Sequence, residues 1–134
     1  MIRVVRGGVL LAVALTVAAL CSISSQAAVG WWAFQTPSRN LRCEFTGHGD
    51  FFVRCGTLND GFTYELGSGS QRALTNHRAV YGVASRYPDP PTLRYGMTWR
   101  NASWNLSCFS RSTGLTCQNR RHGFFLSRDR AYKW

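Results

Sequence analysis

The stretch LRCEFTGHGDFFVRC, residues 41–55, decides the fold that the sequence predicts. Apolar and polar side chains alternate through its first six residues, with Leu41, Cys43 and Phe45 on the apolar side. The glycine-rich run Gly-His-Gly-Asp is typical of a turn, and the alternation resumes after it and ends at Cys55. Because successive side chains of a β-strand point to opposite faces, this pattern predicts two antiparallel strands with one buried face.

The same period of two recurs along the rest of the chain. Its apolar positions are Phe62, Tyr64 and Leu66; Leu93, Tyr95, Met97 and Trp99; Trp104, Leu106 and Cys108; Leu115 and Cys117; and Phe124 and Leu126. Turn sequences such as Asn-Asp-Gly at residues 59–61 and Arg-Ser-Thr-Gly at residues 111–114 separate these runs. Short strands with frequent turns predict an all-β domain, which is a small antiparallel meander, a sandwich or a barrel.

The first residues of the chain predict export. Arg3 and Arg6 precede an uncharged apolar run over residues 9–20, and the sequence Ser-Gln-Ala that ends at Ala27 is a small-x-small cleavage pattern. The apolar run has about a dozen residues, whereas a membrane-spanning helix needs roughly 20. A lipoprotein signal at Cys21 and a retained anchor are the alternatives.

We therefore expect a signal peptide over residues 1–27 and a single β-rich domain over residues 28–134, with no transmembrane segment after cleavage. The domain is expected to be secreted or to stay in the cell envelope. About 107 residues are enough for one hydrophobic core. A chain of this size buries only about 60–68% of the surface that its unfolded form exposes, so covalent cross-links would add useful stability.

The alternation also predicts how the cysteines pair. Cys21 leaves with the signal peptide, and an oxidising compartment favours two disulfides among the four that remain. Cys43 and Cys55 lie on the apolar faces of neighbouring strands, and so do Cys108 and Cys117. Facing Cβ atoms of antiparallel neighbours lie about 4.5–5.5 Å apart, which a disulfide can bridge after a small adjustment. We predict the bridges Cys43–Cys55 and Cys108–Cys117, each stabilising the domain by about 2–3 kcal/mol.

The charge of the chain indicates which kinds of partner to expect. Sixteen lysine and arginine residues against six acidic ones give a formal net charge of +10, of which about +8 remains after the signal is removed. Lys133 is the one lysine of the predicted mature chain, so its positive charges are almost all arginine. Such a domain is attracted to anionic partners, and we expect an anionic cell-wall polymer or an acidic protein. No specific nucleic acid is predicted.

Residues 67–91 give the weakest structural signal. They begin with Gly-Ser-Gly-Ser and end with Pro-Asp-Pro-Pro, which breaks any strand ladder. Between these ends, Leu74, His77, Val80 and Tyr81 recur at nearly helical spacing. A strand over residues 72–75 is the alternative interpretation.

A set of motifs with a fixed order distinguishes this chain from other small β-domains. They are Phe-Gln-Thr-Pro-Ser-Arg-Asn at residues 34–40, Tyr-Gly at 95–96, Gly-Leu-Thr-Cys at 114–117 and His-Gly-Phe at 122–124. In these motifs the chain resembles an uncharacterised family of exported actinobacterial proteins, a domain of unknown function. The resemblance covers most of residues 34–130.

What the resemblance implies is a secreted, disulfide-containing, β-rich domain, with no activity attached to it. The family has two further cysteines between its Val-Arg-Cys and Tyr-Gly motifs, whereas residues 56–92 of this chain have none. Loss of one disulfide would leave this pattern, because it removes both thiols together.

Aromatic residues next to arginine suggest ligand-binding positions. We select Phe52, Arg54, Arg100, Arg120, Arg121 and His122 as possible ligand-binding residues. Outward aromatic rings can stack on sugars or bases while a guanidinium holds an anion. The parity of the strand places Phe52 on the polar face, whereas Trp99 and Trp104 are predicted to lie in the core. The sequence thus favours a non-catalytic binding module for an anionic envelope component or an acidic protein.

Catalytic and metal-binding alternatives have less support in the sequence. A ribonuclease-like hydrolase would use His122 with Glu44 or Glu65, but no spacing links this histidine to either carboxylate; the competing interpretation places it in a turn, bonded to a backbone carbonyl. The chain lacks a G-x-S-x-G nucleophile motif, a phosphate-binding glycine loop and the paired spacings of a zinc site. We predict no enzyme activity, no cofactor and no metal. A secreted enzyme inhibitor with an exposed loop at residues 86–91 is the third hypothesis.

Overall fold

The computed structural model describes residues 27–29, 31–47, 49–57, 63–76 and 88–134, and almost all of its regular structure is β-strand. The strands are β1 (Ala27–Val29), β2 (Ala33–Gln35), β3 (Leu41–Thr46), β4 (Phe52–Thr57), β5 (Thr63–Gly67), β6 (Leu74–Asn76), β7 (Thr98–Asn101), β8 (Leu106–Arg111), β9 (Gly114–Gln118), β10 (Gly123–Leu126) and β11 (Ala131–Lys133). A short 3₁₀ helix, Ala102–Trp104, precedes β8.

These strands form two sheets that share one core. The first has the order β1-β7-β8-β9-β10-β11, and the second has the order β2-β3-β4-β5-β6. Neighbouring strands are antiparallel, except that β1 runs parallel to β7. A single hydrophobic cluster contains buried residues of both sheets, as in a β-sandwich. The predicted all-β class is therefore confirmed, and among its three forms the structure is a sandwich.

The two predicted disulfides are both present. Cys43 is the register partner of Cys55 across β3 and β4, and Cys108 is the partner of Cys117 across β8 and β9. All four cysteines are fully buried. The Sγ atoms of Cys55 and Cys117 lie 3.8 Å apart, so the two bridges touch across the middle of the sandwich. Each sheet is thus cross-linked on its inner face at the point where it meets the other.

Aromatic rings extend the core beyond the disulfides. Trp99 on β7 is 1% exposed, and its ring centroid lies 5.6 Å from that of Phe34 on β2. Its Nε1 donates a hydrogen bond to the carbonyl oxygen of Trp31 at 3.0 Å, which satisfies the polar atom of a buried indole. Trp104, from the 3₁₀ helix, is half-buried, with its ring 4.5 Å from that of Phe51. Both tryptophans pack at the core as predicted, although Trp104 does so from the helix rather than from a strand.

The strand that the alternation predicts from Leu93 onward begins later, with β7. The backbone N–H of Met97 donates to the carbonyl oxygen of Arg94 at 3.0 Å, and Gly96 has φ +83°. Glycine adopts this left-handed conformation readily, so a turn forms at Gly96 and interrupts the alternation. Leu93 is still buried, whereas Tyr95 is 48% exposed. The predicted position of Tyr95 on the apolar face is therefore wrong, and the turn at Gly96 is the physical reason.

The structure describes part of the segment with the weakest signal. Residues 74–76 form β6, which pairs with β5 at the edge of the five-stranded sheet, in agreement with the strand interpretation. The helical interpretation depends on residues 77–84, which lie outside the described residues. Residues 88–91 lead to Thr92, which forms an isolated parallel bridge with Gln35 of β2.

Several further predictions also fall outside the described residues. They include the predicted signal peptide up to residue 26, residue 48 of the predicted Gly-His-Gly-Asp turn, Phe62 and the turn at residues 59–61. Ala27, the last residue of the predicted signal, is the first residue of β1. Among the residues that the structure describes, no helix has the length and apolar character needed to cross a membrane.

Candidate anion-binding cleft

A cleft of about 680 Å³ opens where loops from both sheets meet. It lies between the β2–β3 loop, the turn before β7, the β8–β9 hairpin and the end of the β10–β11 hairpin. Its lining residues are Thr36, Ser38, Asn40, Leu41, Tyr95, Arg111, Ser112, Thr113, Gly114, Phe125, Ser127, Arg128, Asp129, Arg130 and Tyr132. Side chains carried by loops on a rigid sheet scaffold are a common arrangement for binding.

The β10–β11 turn holds two of the arginines of the cleft in place. The Oγ of Ser127 accepts hydrogen bonds from the backbone N–H groups of Asp129, at 3.3 Å, and Arg130, at 3.0 Å. The backbone N–H of Ser127 donates to the carbonyl oxygen of Arg130 at 2.8 Å, which closes the turn. The side chains of Arg128, Asp129 and Arg130 are exposed. A short turn with internal hydrogen bonds therefore presents two guanidinium groups and one carboxylate to the cleft.

Arg111 enters the cleft from the β8–β9 hairpin. Its guanidinium carbon lies 4.8 Å from the ring centroid of Phe109, its neighbour two residues earlier on β8, so a cation–π contact supports the side chain. Gly114, at the other side of the hairpin turn, has φ +149°, and a Cβ atom there would collide with the ring of Phe125. The missing side chain allows Phe125 to lie against the hairpin, where it forms part of the cleft wall.

Aromatic rings line the cleft beside the arginines. Phe125 and Tyr132 are register partners on β10 and β11, with ring centroids 5.1 Å apart and planes inclined by 24°. Phe125 therefore supports one face of the Tyr132 ring, and the Tyr132 side chain remains 54% exposed. Tyr95, displaced from the core by the turn at Gly96, is the third aromatic residue of the lining.

The charge in this cleft is predominantly positive. The lining contains three arginines, Arg111, Arg128 and Arg130, and one acidic residue, Asp129. The ion pairs found between described residues are those of Arg54, and the three arginines of the cleft take no part in them. Arginine keeps its charge under all physiological conditions. The cleft is therefore suited to an anionic ligand.

None of these three arginines belongs to the set selected from the sequence. The signals were available, since Arg111 begins one predicted turn and Arg128 and Arg130 flank a single aspartate near the end of the chain. What the sequence did not provide was their convergence, which depends on how two hairpins lie side by side in the sheet. The sequence also predicted Tyr95 in the core, so it gave no indication that this ring lines the cleft.

Arg100 and Arg120, from the predicted set, come together in a second, smaller cleft of about 330 Å³. It is lined by Arg100, Asn101, Ala102, Asn105, Leu106, Ser107, Gln118, Asn119 and Arg120. This lining contains two arginines and several amides but no aromatic ring. The sequence selected both arginines but gave no indication that they would line the same cleft.

Arg121 and His122 lie in the connection between β9 and β10 and line neither cleft. The Oδ1 of Asn119 accepts hydrogen bonds from the backbone N–H groups of Arg121, at 2.9 Å, and His122, at 2.8 Å. The Nδ2 of Asn119 donates to the carbonyl oxygen of Gly67 at 3.0 Å, which ties the connection to the other sheet. The Nδ1 of His122 lies 3.2 Å from the carbonyl oxygen of Trp134, the backbone contact expected of a turn histidine.

Arg54 is already paired within the molecule. Its Nε donates to Glu65 Oε1 at 2.8 Å and its Nη1 donates to Glu44 Oε1 at 3.1 Å. The register across β3, β4 and β5 places these three residues side by side on the outer face of the sheet. Phe52 shares this face, as its parity predicted, and its ring centroid lies 5.0 Å from the guanidinium carbon of Arg54. The guanidinium of Arg54 is therefore shared between two carboxylates, which leaves it poorly placed to attract an anionic ligand.

The structure does not assemble the hydrolase set at either cleft. Glu44 and Glu65 are on β3 and β5 and share Arg54, whereas His122 precedes β10 in the other sheet. Neither cleft is lined by any of the three residues that the hydrolase hypothesis requires.

The hypothetical inhibitory loop is described over residues 88–91 only. Pro90 is buried, and the backbone N–H of Gln35 donates to the carbonyl oxygen of Pro91 at 2.9 Å. The Nε2 of Gln35 lies 3.4 Å from Asp89 Oδ1. This part of the loop is therefore held against the edge strand β2.

The one grouping of potential metal ligands among the described residues consists of cysteine sulfurs. The Sγ atoms of Cys55, Cys108 and Cys117 lie within 4.8 Å of one another. All three belong to disulfides, and a metal would require thiolates. These sulfur atoms are close together because the two disulfides touch in the core.

The fold and the cleft define a class of protein: a small β-sandwich with two disulfides and a basic, aromatic-lined cleft formed by loops. The chain belongs to a family of unknown function (DUF6636), which it matches over residues 18–134. No curated protein and no solved structure shows significant similarity to it. The prediction of a domain of unknown function is thus confirmed, whereas the export of the chain stays a prediction.

Proposed function

We propose that the domain is a non-catalytic binding module for an anionic component of the cell envelope, and that the cleft with Arg111, Arg128 and Arg130 is its binding site. The observation that supports this proposal is the convergence of three exposed arginines on one cleft of about 680 Å³. Volumes of this order are typical of ligand-binding pockets, which span roughly 300–1,000 Å³.

Arginine provides the chemistry for holding an acidic group. A planar guanidinium donates two parallel hydrogen bonds to a carboxylate or phosphate, and such charge-assisted bonds contribute about 1.5–3 kcal/mol each. The turn closed by Ser127 fixes the backbone that carries Arg128 and Arg130, and the cation–π contact with Phe109 restricts the side chain of Arg111 before a ligand arrives. Ordering of this kind reduces the entropy that binding costs.

The predicted export and the overall charge indicate where the ligand is found. A domain with a net charge near +8 after signal cleavage attracts polyanions over a distance comparable to the Debye length, about 8 Å at physiological salt. Anionic polymers of the envelope are the polyanions that an exported protein meets first.

Salt-dependent retention on a heparin matrix tests the proposal. We expect the wild-type domain to bind at low salt and to elute at moderate salt. The variant R111Q/R128Q/R130Q is expected to bind at least roughly tenfold more weakly, because it loses several charge-assisted hydrogen bonds at the cleft. The salt concentration at elution and a solution titration with a heparin fragment measure the effect.

A charge-matched variant separates this cleft from the net charge of the domain. R100Q/R120Q/R121Q also removes three positive charges, but from the residues that the sequence had suggested. Its affinity for heparin is expected to fall by no more than roughly threefold. Equal losses in the two variants would mean that charge alone attracts the polyanion. Recovery of the wild-type domain in the low-salt flow-through would reject anion binding altogether.

A further inference from the structure

We infer that the ligand of the cleft is a polysaccharide whose sugars carry carboxylate groups. This inference rests on the proposed function and narrows it, since an acidic protein and a phosphate polymer are also anionic. Its basis is the combination of arginines with exposed tyrosines, hydroxyl groups and a single carboxylate around one cleft.

The tyrosines favour sugar rings over a flexible acidic chain. The Tyr132 ring is supported from one side by Phe125, with the centroids 5.1 Å apart and an interplanar angle of 24°. Its centroid also lies 6.0 Å from that of Trp134, and 54% of the Tyr132 side chain stays exposed, so the supported ring offers a surface on which the apolar C–H face of a pyranose can pack. Tyr95 adds a second exposed ring to the lining, carried by the turn at Gly96.

The polar lining matches the hydroxyl groups of a sugar. Ser38, Ser112 and Thr113 line the cleft, and each hydroxyl group can both donate and accept a hydrogen bond. The hydroxyls of Thr36 and Ser38 lie 3.1 Å apart, which orients this pair within the β2–β3 loop. A ligand with many hydroxyl groups can both donate hydrogen bonds to such a lining and accept them from it, whereas a carboxylate side chain can only accept them.

Asp129 discriminates between carboxylated sugars and phosphate polymers. Its carboxylate lies in the turn between Arg128 and Arg130 and is one of the lining groups. An ionised carboxylate is an acceptor only, so it can accept a hydrogen bond from a sugar hydroxyl, whereas a linear polyphosphate has no such hydroxyl group to donate along its chain. A uronic-acid polymer offers both groups on the same ring, a carboxylate for an arginine and hydroxyls for Asp129.

Calorimetric titration of the whole secreted domain with three probes tests this inference. The probes are an oligogalacturonate, a poly-L-glutamate of equal carboxylate number and a linear polyphosphate of equal charge. We expect the oligogalacturonate to bind at least roughly tenfold more tightly than the other two. Replacing both rings, in Y95A/Y132A, is expected to abolish this preference, whereas Y95F/Y132F keeps the rings and most of the affinity.

Two controls isolate the effect of the rings. W32A removes an exposed aromatic residue outside the cleft and is expected to leave all three affinities unchanged. Thermal unfolding of each variant verifies that the fold is intact, since both tyrosines are exposed and their removal creates no cavity in the core. A loss of affinity in Y95A/Y132A that is equal for all three probes would contradict stacking on a sugar.

The outcomes distinguish this inference from the proposed function. If poly-L-glutamate or polyphosphate binds as tightly as the oligogalacturonate, and R111Q/R128Q/R130Q weakens that binding, the inference fails while the anion-binding function stands. If none of the three polyanions binds the wild-type domain, the proposed function fails as well.

Discussion

Replacing the four disulfide-bonded cysteines, Cys43, Cys55, Cys108 and Cys117, by alanine is expected to leave the domain unfolded at 37 °C. Each bridge closes a short loop, with sequence separations of 12 and 9 residues, and contributes about 3 kcal/mol in the chain-entropy description. The replacements also remove four sulfur atoms from the fully buried centre of the sandwich. A combined loss of about 6 kcal/mol is comparable to the whole stability of a small domain, about 5–15 kcal/mol. Circular dichroism during thermal unfolding measures the outcome.

The two single-bridge variants provide the comparison. C43A/C55A and C108A/C117A are each expected to fold with a free energy of unfolding lower by about 3 kcal/mol. Because Sγ of Cys55 lies 3.8 Å from Sγ of Cys117, the two effects should not be additive, and the double-mutant cycle measures their coupling. A cooperative transition above 37 °C in the variant without cysteines would show that packing of the sheets, rather than the bridges, supplies the stability.

Replacing Arg54 by alanine is expected to lower the free energy of unfolding by about 3 kcal/mol. The Glu44 side chain is 4% exposed and would keep a buried carboxylate without its partner, a defect that costs about 3–5 kcal/mol in proteins. We expect the lower end of this range because the Arg54 side chain is 22% exposed and water can partly replace it. Chemical denaturation gives the difference in midpoint, and the slope of the transition should not change.

Two variants show whether charge is the cause. Adding E44Q to R54A removes the unpaired buried charge and is expected to recover a substantial part of the lost stability. R72A, which truncates an exposed arginine in the connection between β5 and β6, is expected to change the free energy of unfolding by less than about 0.5 kcal/mol. An equal loss in R54A and R54A/E44Q would assign the effect to lost packing, including the contact of Arg54 with Phe52.

The central strands could be derived from the sequence because their side chains obey a local rule. In β3, the residues Leu41, Cys43 and Phe45 are buried as the alternation requires. The same rule gave the register that joins Cys43 to Cys55, since both residues had to lie on the inner face of neighbouring strands. Where a local conformation broke the rule, the prediction failed. The turn at Gly96 moved Tyr95 from the expected core position to the surface.

The edges of the two sheets were less predictable than their centres. The four edge strands, β1, β2, β6 and β11, have only three residues each, too few for a period of two to be recognised with any statistical force. Where each of these strands lies depends on its hydrogen bonds to a neighbouring strand, and that strand can be distant in the chain. β1 is the extreme case, because its partner β7 is parallel and lies about 70 residues later in the chain.

The sequence by itself determined the all-β class, the two disulfide pairs and the positive charge, because each depends on the order of side chains along one strand or hairpin, or on composition. Only the tertiary structure decided which arginines act together. Arg54, suggested as a binding residue, pairs with Glu44 and Glu65, while Arg111 and Arg130 converge on a cleft with Tyr95. Such groupings depend on which strands and hairpins become neighbours within a sheet, and the strand order and register of each sheet settle that.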